Sequence, residues 1–442
     1  MKRDLTQGKI TSSLLLFALP MTAGNLLQQF YNIADTLIVG RVLGRDALAA
    51  VGSAYTLMVF LTSVLIGLCM GSGVSFSISF GAKDSDKLKS GIFHSFTLIS
   101  ALTLLLTILA FLGTDCIMNL LNVPPEVLPP MRQYLKIIFL GIPAVFVYNF
   151  FTALLRSIGN SASPLIFLAV SSILNVVLDI LFVVFLPFGV RGAAAATVLA
   201  QIVSAAGIAV YALKRFPELM PSRKQMRWQR SVAAEISGFS VLTCLQQSVM
   251  NLGILMVQGI VNSFGTTVMA AFAVAVKIDT IAYMPAGDFG NAFSFFVAQN
   301  FGAGKRERIR EGIRQSAISV VLFCAAISAI VCLAARPLMQ IFVTEGSEEL
   351  IQVGVQYLRT EGACYVGIGI LFMLYGYYRA VNLPFLSVVL TVISLGTRVL
   401  LAYVLSSIPA VGVFGIWIAI PIGWFLADAY GIGYYWRKMK NQ

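Results

Sequence analysis

Charge is what this sequence has least of: 11% of its 442 residues are Asp, Glu, Lys or Arg, while 58% are hydrophobic. With a mean hydropathy of +0.86, that excludes a soluble globular domain of this length and points to a polytopic membrane protein. Short alternating segments are missing too, which excludes a β-barrel. The six cysteines form no C-x-x-C pair and sit mostly in apolar runs, so neither a metal cage nor a disulfide framework is expected. A single histidine, His94, leaves little room for imidazole chemistry, and its place near the start of the third apolar run reads as a headgroup-level position rather than a proton relay. Gly302-Ala303-Gly304-Lys305 stops short of a phosphate loop, since residue 299 is Gln and Arg306 follows the lysine. No ATPase module, catalytic constellation or cofactor motif is visible, so an enzyme is not expected.

What is present is a series of apolar runs of about 20 residues or more, the length a helix needs to cross a bilayer. Twelve spans are expected, at 14–40, 48–80, 91–114, 131–155, 164–187, 190–213, 232–262, 268–301, 313–334, 351–378, 384–407 and 410–435. The first is too long for a signal peptide and lacks a small-residue cleavage site, so it is read as retained. Of the 31 Lys and Arg, 22 crowd into the N-terminus and the segments 81–90, 156–163, 214–231, 302–314, 379–383 and 436–442. The net charge of +12 therefore reports topology rather than a nucleic-acid partner. The positive-inside rule puts both termini in the cytoplasm, with the chain in the cytoplasmic membrane.

The chain also repeats itself. Phe80-Gly81-Ala82 followed by Gly91-Ile92 recurs as Phe301-Gly302-Ala303 followed by Gly312-Ile313, 221 residues on. Gln28, Asn32 and Gly40 have counterparts in Gln247, Asn251 and Gly259, as do Arg156 in Arg379, Pro164 in Pro384 and Gly189 in Gly412. An even number of spans in each half makes the repeat parallel. The expected fold is all-α and integral to the membrane, with twelve transmembrane helices in two pseudo-symmetric six-helix lobes. The N-terminal lobe is residues 1–213, a cytoplasmic linker 214–231, and the C-terminal lobe 232–442. Two lobes around a central cleft suit alternating access, and two lobes in one chain make a monomer sufficient.

An ionisable residue inside a hydrophobic span is costly and marks an ion or proton step by default. Span 1 carries Asp35 at the end of a stripe with Asn25, Gln28 and Asn32, spaced to share one helix face. Span 5 repeats the pattern with Ser172, Asn175 and Asp179. Thr197, Asn149 and Tyr134 could complete a polar pocket. Desolvation and hydrogen bonding push a buried carboxyl's titration in opposite directions, and that tunability is what proton coupling requires. The acids have no counterpart in the second half, where residue 254 is Ile and 395–408 holds Arg398 instead. Ion coupling is therefore expected in the first lobe alone, by H⁺ or by Na⁺ at Asp35 and Asp179. Lys277 and Asp279 are read as a pair near a membrane face. Asp288, after Pro285 and Gly287, is a lower-ranked contact for a cationic substrate, and Pro20 is either a plain kink or a hinge.

Taken together, Pro20 with Asp35, the two Phe-Gly-Ala loops, Val297-Ala-Gln-Asn-Phe-Gly-Ala303, Arg156-Ser-Ile-Gly-Asn160 with Pro164, and Gly189-Val-Arg-Gly-Ala193 resemble the multidrug and toxic compound extrusion (MATE) transporters. The resemblance runs from about residue 10 to the C-terminus and is nearest the bacterial branch related to DNA-damage-inducible protein F. It implies antiport of a small organic, often cationic or amphipathic, compound against H⁺ or Na⁺. It further implies Asp35 as the coupling acid, with Asn175, Asp179 and Thr197 beside it and Asn149 and Tyr134 lining the same cavity. Gln246 and Gln247 in span 7, and the acid-free stretch from Cys364 to Arg379, weigh against a Na⁺ site in the second lobe. Two rival readings remain: a flippase for lipid-linked saccharides, whose cavity should be more cationic than Lys136, Lys277, Arg359 and Arg398 allow, and a non-transporting sensor.

Overall fold

Inside hydrocarbon no water is available to backbone N–H and C=O groups, so each crossing segment must satisfy its own hydrogen bonds, and a helix does this within one segment. The computed structural model describes residues 4–120, 123–342 and 348–440. Lys2 and Arg3, counted above with the basic N-terminus, lie outside them. Among the described residues there is no strand. The helices are α1 (Ile10–Leu43), α2 (Arg45–Gly81), α3 (Ser85–Leu112), α4 (Thr114–Leu120), α5 (Leu128–Ile138), α6 (Ile142–Ser157), α7 (Ala162–Asp179), α8 (Val190–Arg215), α9 (Arg230–Asn262), α10 (Thr266–Gly302), α11 (Arg306–Gln340), α12 (Glu348–Gly362), α13 (Tyr365–Ala380), α14 (Pro384–Ser406) and α15 (Phe414–Lys440).

Among the described residues, eleven stretches are long and apolar enough to cross a membrane, with α5 and α6 counting as one through a 3₁₀ turn at Phe139–Gly141. The expected span 351–378 is broken at Ala363-Cys364 into α12 and α13, so neither piece reaches the length alone. Counting that pair as one crossing, the fold is the expected all-α bundle of twelve.

Contacts divide the chain into two compact units, one containing Leu19–Cys244, the other Leu5–Ala18 with the chain from Leu245 on. The chain passes between them within α1, at Ala18-Leu19, one residue before Pro20. In the first unit, three hydroxyls tie α2, α3 and α9 together, with Ser72 Oγ 2.8 Å from Ser240 Oγ and 2.6 Å from Ser95 Oγ. His94 is fully buried in protein. Its Nε2 accepts the Gln229 backbone N–H at 2.8 Å, which leaves Nδ1 to donate to the Ser90 carbonyl at 2.7 Å. The indole of Trp228 lies 4.9 Å from its ring, so this histidine seats the segment leading into α9.

In the second unit, the segment before α1 is clasped by α10 and α11. Asn300 donates to the Leu5 carbonyl and Gln299 accepts the Leu5 N–H, both at 3.1 Å. Arg308 donates to the carbonyls of Leu5, Gln7 and Gly8.

Helices in lipid pack closely where small residues let backbones approach. A Cβ at Gly376 would fall 2.4 Å from the Gly290 carbonyl oxygen, so α10 and α13 cross at a pair of glycines. Gly376→Val is therefore expected to destabilise the protein by about 1–3 kcal/mol or more, as overpacking does. Gly396→Ala, where a Cβ meets nothing within 4 Å, should be neutral or mildly stabilising. Thermal melts of the solubilised protein compare them, and equal melting temperatures would refute the close-crossing account.

Candidate functional site

The polar stripe of α7 faces protein. Its buried residues include Ser171, Ser172, Asn175 and Asp179, while Ile166, Ile173 and Val177 on other faces are exposed as lipid contact demands. Asp179 is fully buried and ends the α-helical part of the span. The chain continues as a π-helix over Ile180–Phe185, a wide turn of the kind that often marks functional positions in helices.

From α1, Asp35 comes close to Asp179. Two carboxyl groups at that range bond to each other only through a shared proton or a shared cation, since ionised carboxylates are acceptors alone. Both Asp179 oxygens, Asp35 Oδ1 and Asn175 Oδ1 are buried, and no hydrogen-bond donor among the described residues serves them. The remaining groups fix this cluster in place. Asn175 Nδ2 donates to Thr197 Oγ1 at 3.3 Å, and Thr197 donates to the Ala193 carbonyl at 3.1 Å. Tyr134, 6% exposed, lies near both carboxyls and near Tyr31, which neighbours Gln28. Chemically this is an all-oxygen, acceptor-rich pocket, suited to a proton or to a hard monovalent cation and not to a soft metal.

The expected residues do not all converge. Asp35, Asp179, Asn175, Thr197 and Tyr134 come together, with Gln28 one step away through Tyr31. Asn149 donates back to its own helix at Val145, 2.8 Å, and Asn32 supplies the carbonyl that holds Thr36. Asp288 belongs to the other unit, where a cavity of about 200 Å³ is lined by Gln246, Gln247, Tyr283, Asp288, Phe372 and Arg379. There Arg379, 3% exposed, donates to Asn291 Oδ1 at 3.2 Å.

A second acid cluster escaped the sequence reading. Asp279 does not pair with Lys277: the lysine is exposed and the acid is 3% exposed. Positions two apart on a helix face different ways. Asp279 accepts the Tyr365 hydroxyl at 2.6 Å and the Tyr357 hydroxyl at 3.5 Å, and lies beside the carboxyl of Glu361, 1% exposed. Arg398, 9% exposed, acts on both acids through its charge without a direct ion pair among the described residues. The spacing of Tyr357, Glu361 and Tyr365 by fours was a usable signal, since it places a carboxyl between two phenols on one face.

Residues 20–181 and 241–404 match the MatE family model. The chain is 29% identical to the probable multidrug resistance protein YpnP of Bacillus subtilis, over 99% of this chain and 98% of that protein. It is 27% identical to the probable multidrug resistance protein NorM of Thermotoga maritima, over 93% and 89%. Among solved structures, an outward-facing multidrug resistance MATE family transporter of the MOP superfamily superposes with a TM-score of 0.91 at 23% identity, covering 99% of this chain and 97% of that one.

Proposed function

The chain belongs to the MatE family of multidrug efflux transporters, and from that premise we propose that it is a cation-coupled antiporter which expels small organic, cationic or amphipathic compounds. The observation that carries the coupling half of this reading is the contact between Asp35 and Asp179, two carboxyls whose oxygens lack donors. A proton or Na⁺ bound between them would relieve their mutual repulsion and draw α1 toward α7. Removing the ion would drive the two acids apart. Pro20, next to the point where α1 changes units, would be where the helix yields. Substrate and ion would then compete through the conformational equilibrium, each favouring a different state. On this reading both termini lie in the cytoplasm and one chain suffices.

The test is accumulation of a fluorescent organic cation in proteoliposomes under an imposed pH gradient or an imposed Na⁺ gradient. One pH unit supplies about 1.4 kcal/mol per proton, enough for about a tenfold accumulation ratio at one-to-one exchange. Such a ratio under one gradient, and none under the other, would identify the coupling ion. Movement that is equally fast without either gradient would overturn antiport.

A further inference from the structure

The internal repeat gives each unit the same three-sided surface: the start of one helix and the ends of two others. In the first unit these are α3, α6 and α8; in the second, α11, α13 and α15. In the first, the turn Pro217–Leu219 after α8 packs on α3 and α8. Phe216 and Leu219 are 8% and 5% exposed, and the Phe216 ring lies 6.1 Å from that of Tyr211. An apolar plug taken from the chain itself therefore seals that surface.

The corresponding surface of the second unit is a cavity of about 630 Å³, within the range that holds a small ligand. Arg306, Arg310 and Lys438 stand at its rim, where the first unit has Ser85, Lys89 and Arg215. Tyr377, Tyr378 and Tyr435 replace Leu154, Leu155 and Ala212 in the wall. The tyrosines brace one another, with ring centroids 5.2 Å apart for Tyr377 and Tyr378 and 5.4 Å for Tyr377 and Tyr435. Ile313 and Val381 supply an apolar floor.

Neighbouring cations are engaged elsewhere: Lys305 donates to the Thr6 carbonyl and Arg308 to Leu5, Gln7 and Gly8. Arg306, Arg310 and Lys438 form no ion pair among the described residues. Glu307 is the one acid in the lining. Cations over an apolar floor with phenol walls, at the ends of membrane helices, match an anionic headgroup whose acyl chains stay in the bilayer.

We infer that this groove binds the headgroup of an anionic phospholipid, with Arg306, Arg310 and Lys438 on the phosphate and Ile313 and Val381 against the first acyl methylenes. The inference does not depend on the coupling ion or on what is exported.

Native mass spectrometry of the full chain, titrated with phosphatidylglycerol, phosphatidylcholine or glycerol phosphate, tests it. Phosphatidylglycerol should bind the wild type at least about tenfold more tightly than phosphatidylcholine, and the double variant Arg310→Gln, Lys438→Gln should lose that preference. A double variant in the linker, Arg223→Gln with Arg227→Gln, removes the same charge and should keep it. Equal binding of both lipids by the wild type would overturn the inference, as would an equal loss in the linker variant. Glycerol phosphate binding as tightly as the lipid would show a soluble anion to be the ligand and overturn the lipid assignment. All three proteins are compared as monodisperse, equally stable samples; the altered side chains are exposed, so the substitutions leave packing intact.

Discussion

Asp35→Asn is expected to leave a folded protein that binds substrate yet builds no gradient-driven accumulation, its ratio falling to the passive value of about one. The substitution preserves size and even gives Asp179 an N–H donor, which its two buried oxygens lack among the described residues. What it removes is the ability to gain and lose a proton, or to contribute negative charge to a bound cation. A ligand that no longer distinguishes two states of the protein cannot drive one into the other. The same variant should also change how binding depends on pH. If the coupling ion is H⁺, substrate affinity of the wild type should fall as pH falls, because a proton shared by Asp35 and Asp179 would favour the substrate-free state. In Asp35→Asn the profile should flatten. Substrate titrations across pH, in detergent, read this directly, with proton release measured in weak buffer as a cross-check. Accumulation at the wild-type ratio by Asp35→Asn would remove Asp35 from the coupling step. Loss of accumulation together with loss of binding would mean that the acid contacts substrate instead.

How much of this was legible in the sequence depends on where the partners lie along the chain. Spans follow from local hydropathy, so eleven of twelve crossings emerge as single stretches, and the break at Ala363-Cys364 is the kind of detail hydropathy averages away. The stripes of α1 and α7 were readable because helical spacing puts their polar groups on one face, and the acids at their ends invite each other. The π-helix after Asp179 leaves no such trace. Asp279 was misread for a different reason. Lys277 is its sequence neighbour, but its real partners are Tyr357, Glu361, Tyr365 and Arg398, on three other helices. The spacing of Tyr357, Glu361 and Tyr365 hints at a shared face, but no local pattern ties it to Asp279 or Arg398. The repeat gave no help there, because the second unit places its acids at Asp279 and Glu361, outside the register of Asp35 and Asp179.

That second cluster carries the other large effect. Asp279 and Glu361 are two buried carboxyls, and Arg398 is the cation set against both. Removing one partner of a buried ionic group leaves the remainder uncompensated, which costs about 3–5 kcal/mol. Arg398→Met, similar in length and free of charge, is therefore expected to lower stability by that order, and to reduce the amount of folded protein recovered from membranes. Adding Asp279→Asn to Arg398→Met should restore most of the loss. The amide keeps an oxygen for the Tyr365 hydroxyl, now 2.6 Å from Asp279, and offers Glu361 a donor, so the pocket returns to balance with no cation. Asp279→Asn alone should cost less than Arg398→Met, since it removes a charge from the crowded sign. Melting curves of the three variants beside the wild type form a double-mutant cycle, and the coupling between positions 279 and 398 is its outcome. Additive losses, or an Arg398→Met protein as stable as the wild type, would show that the guanidinium does not compensate these acids.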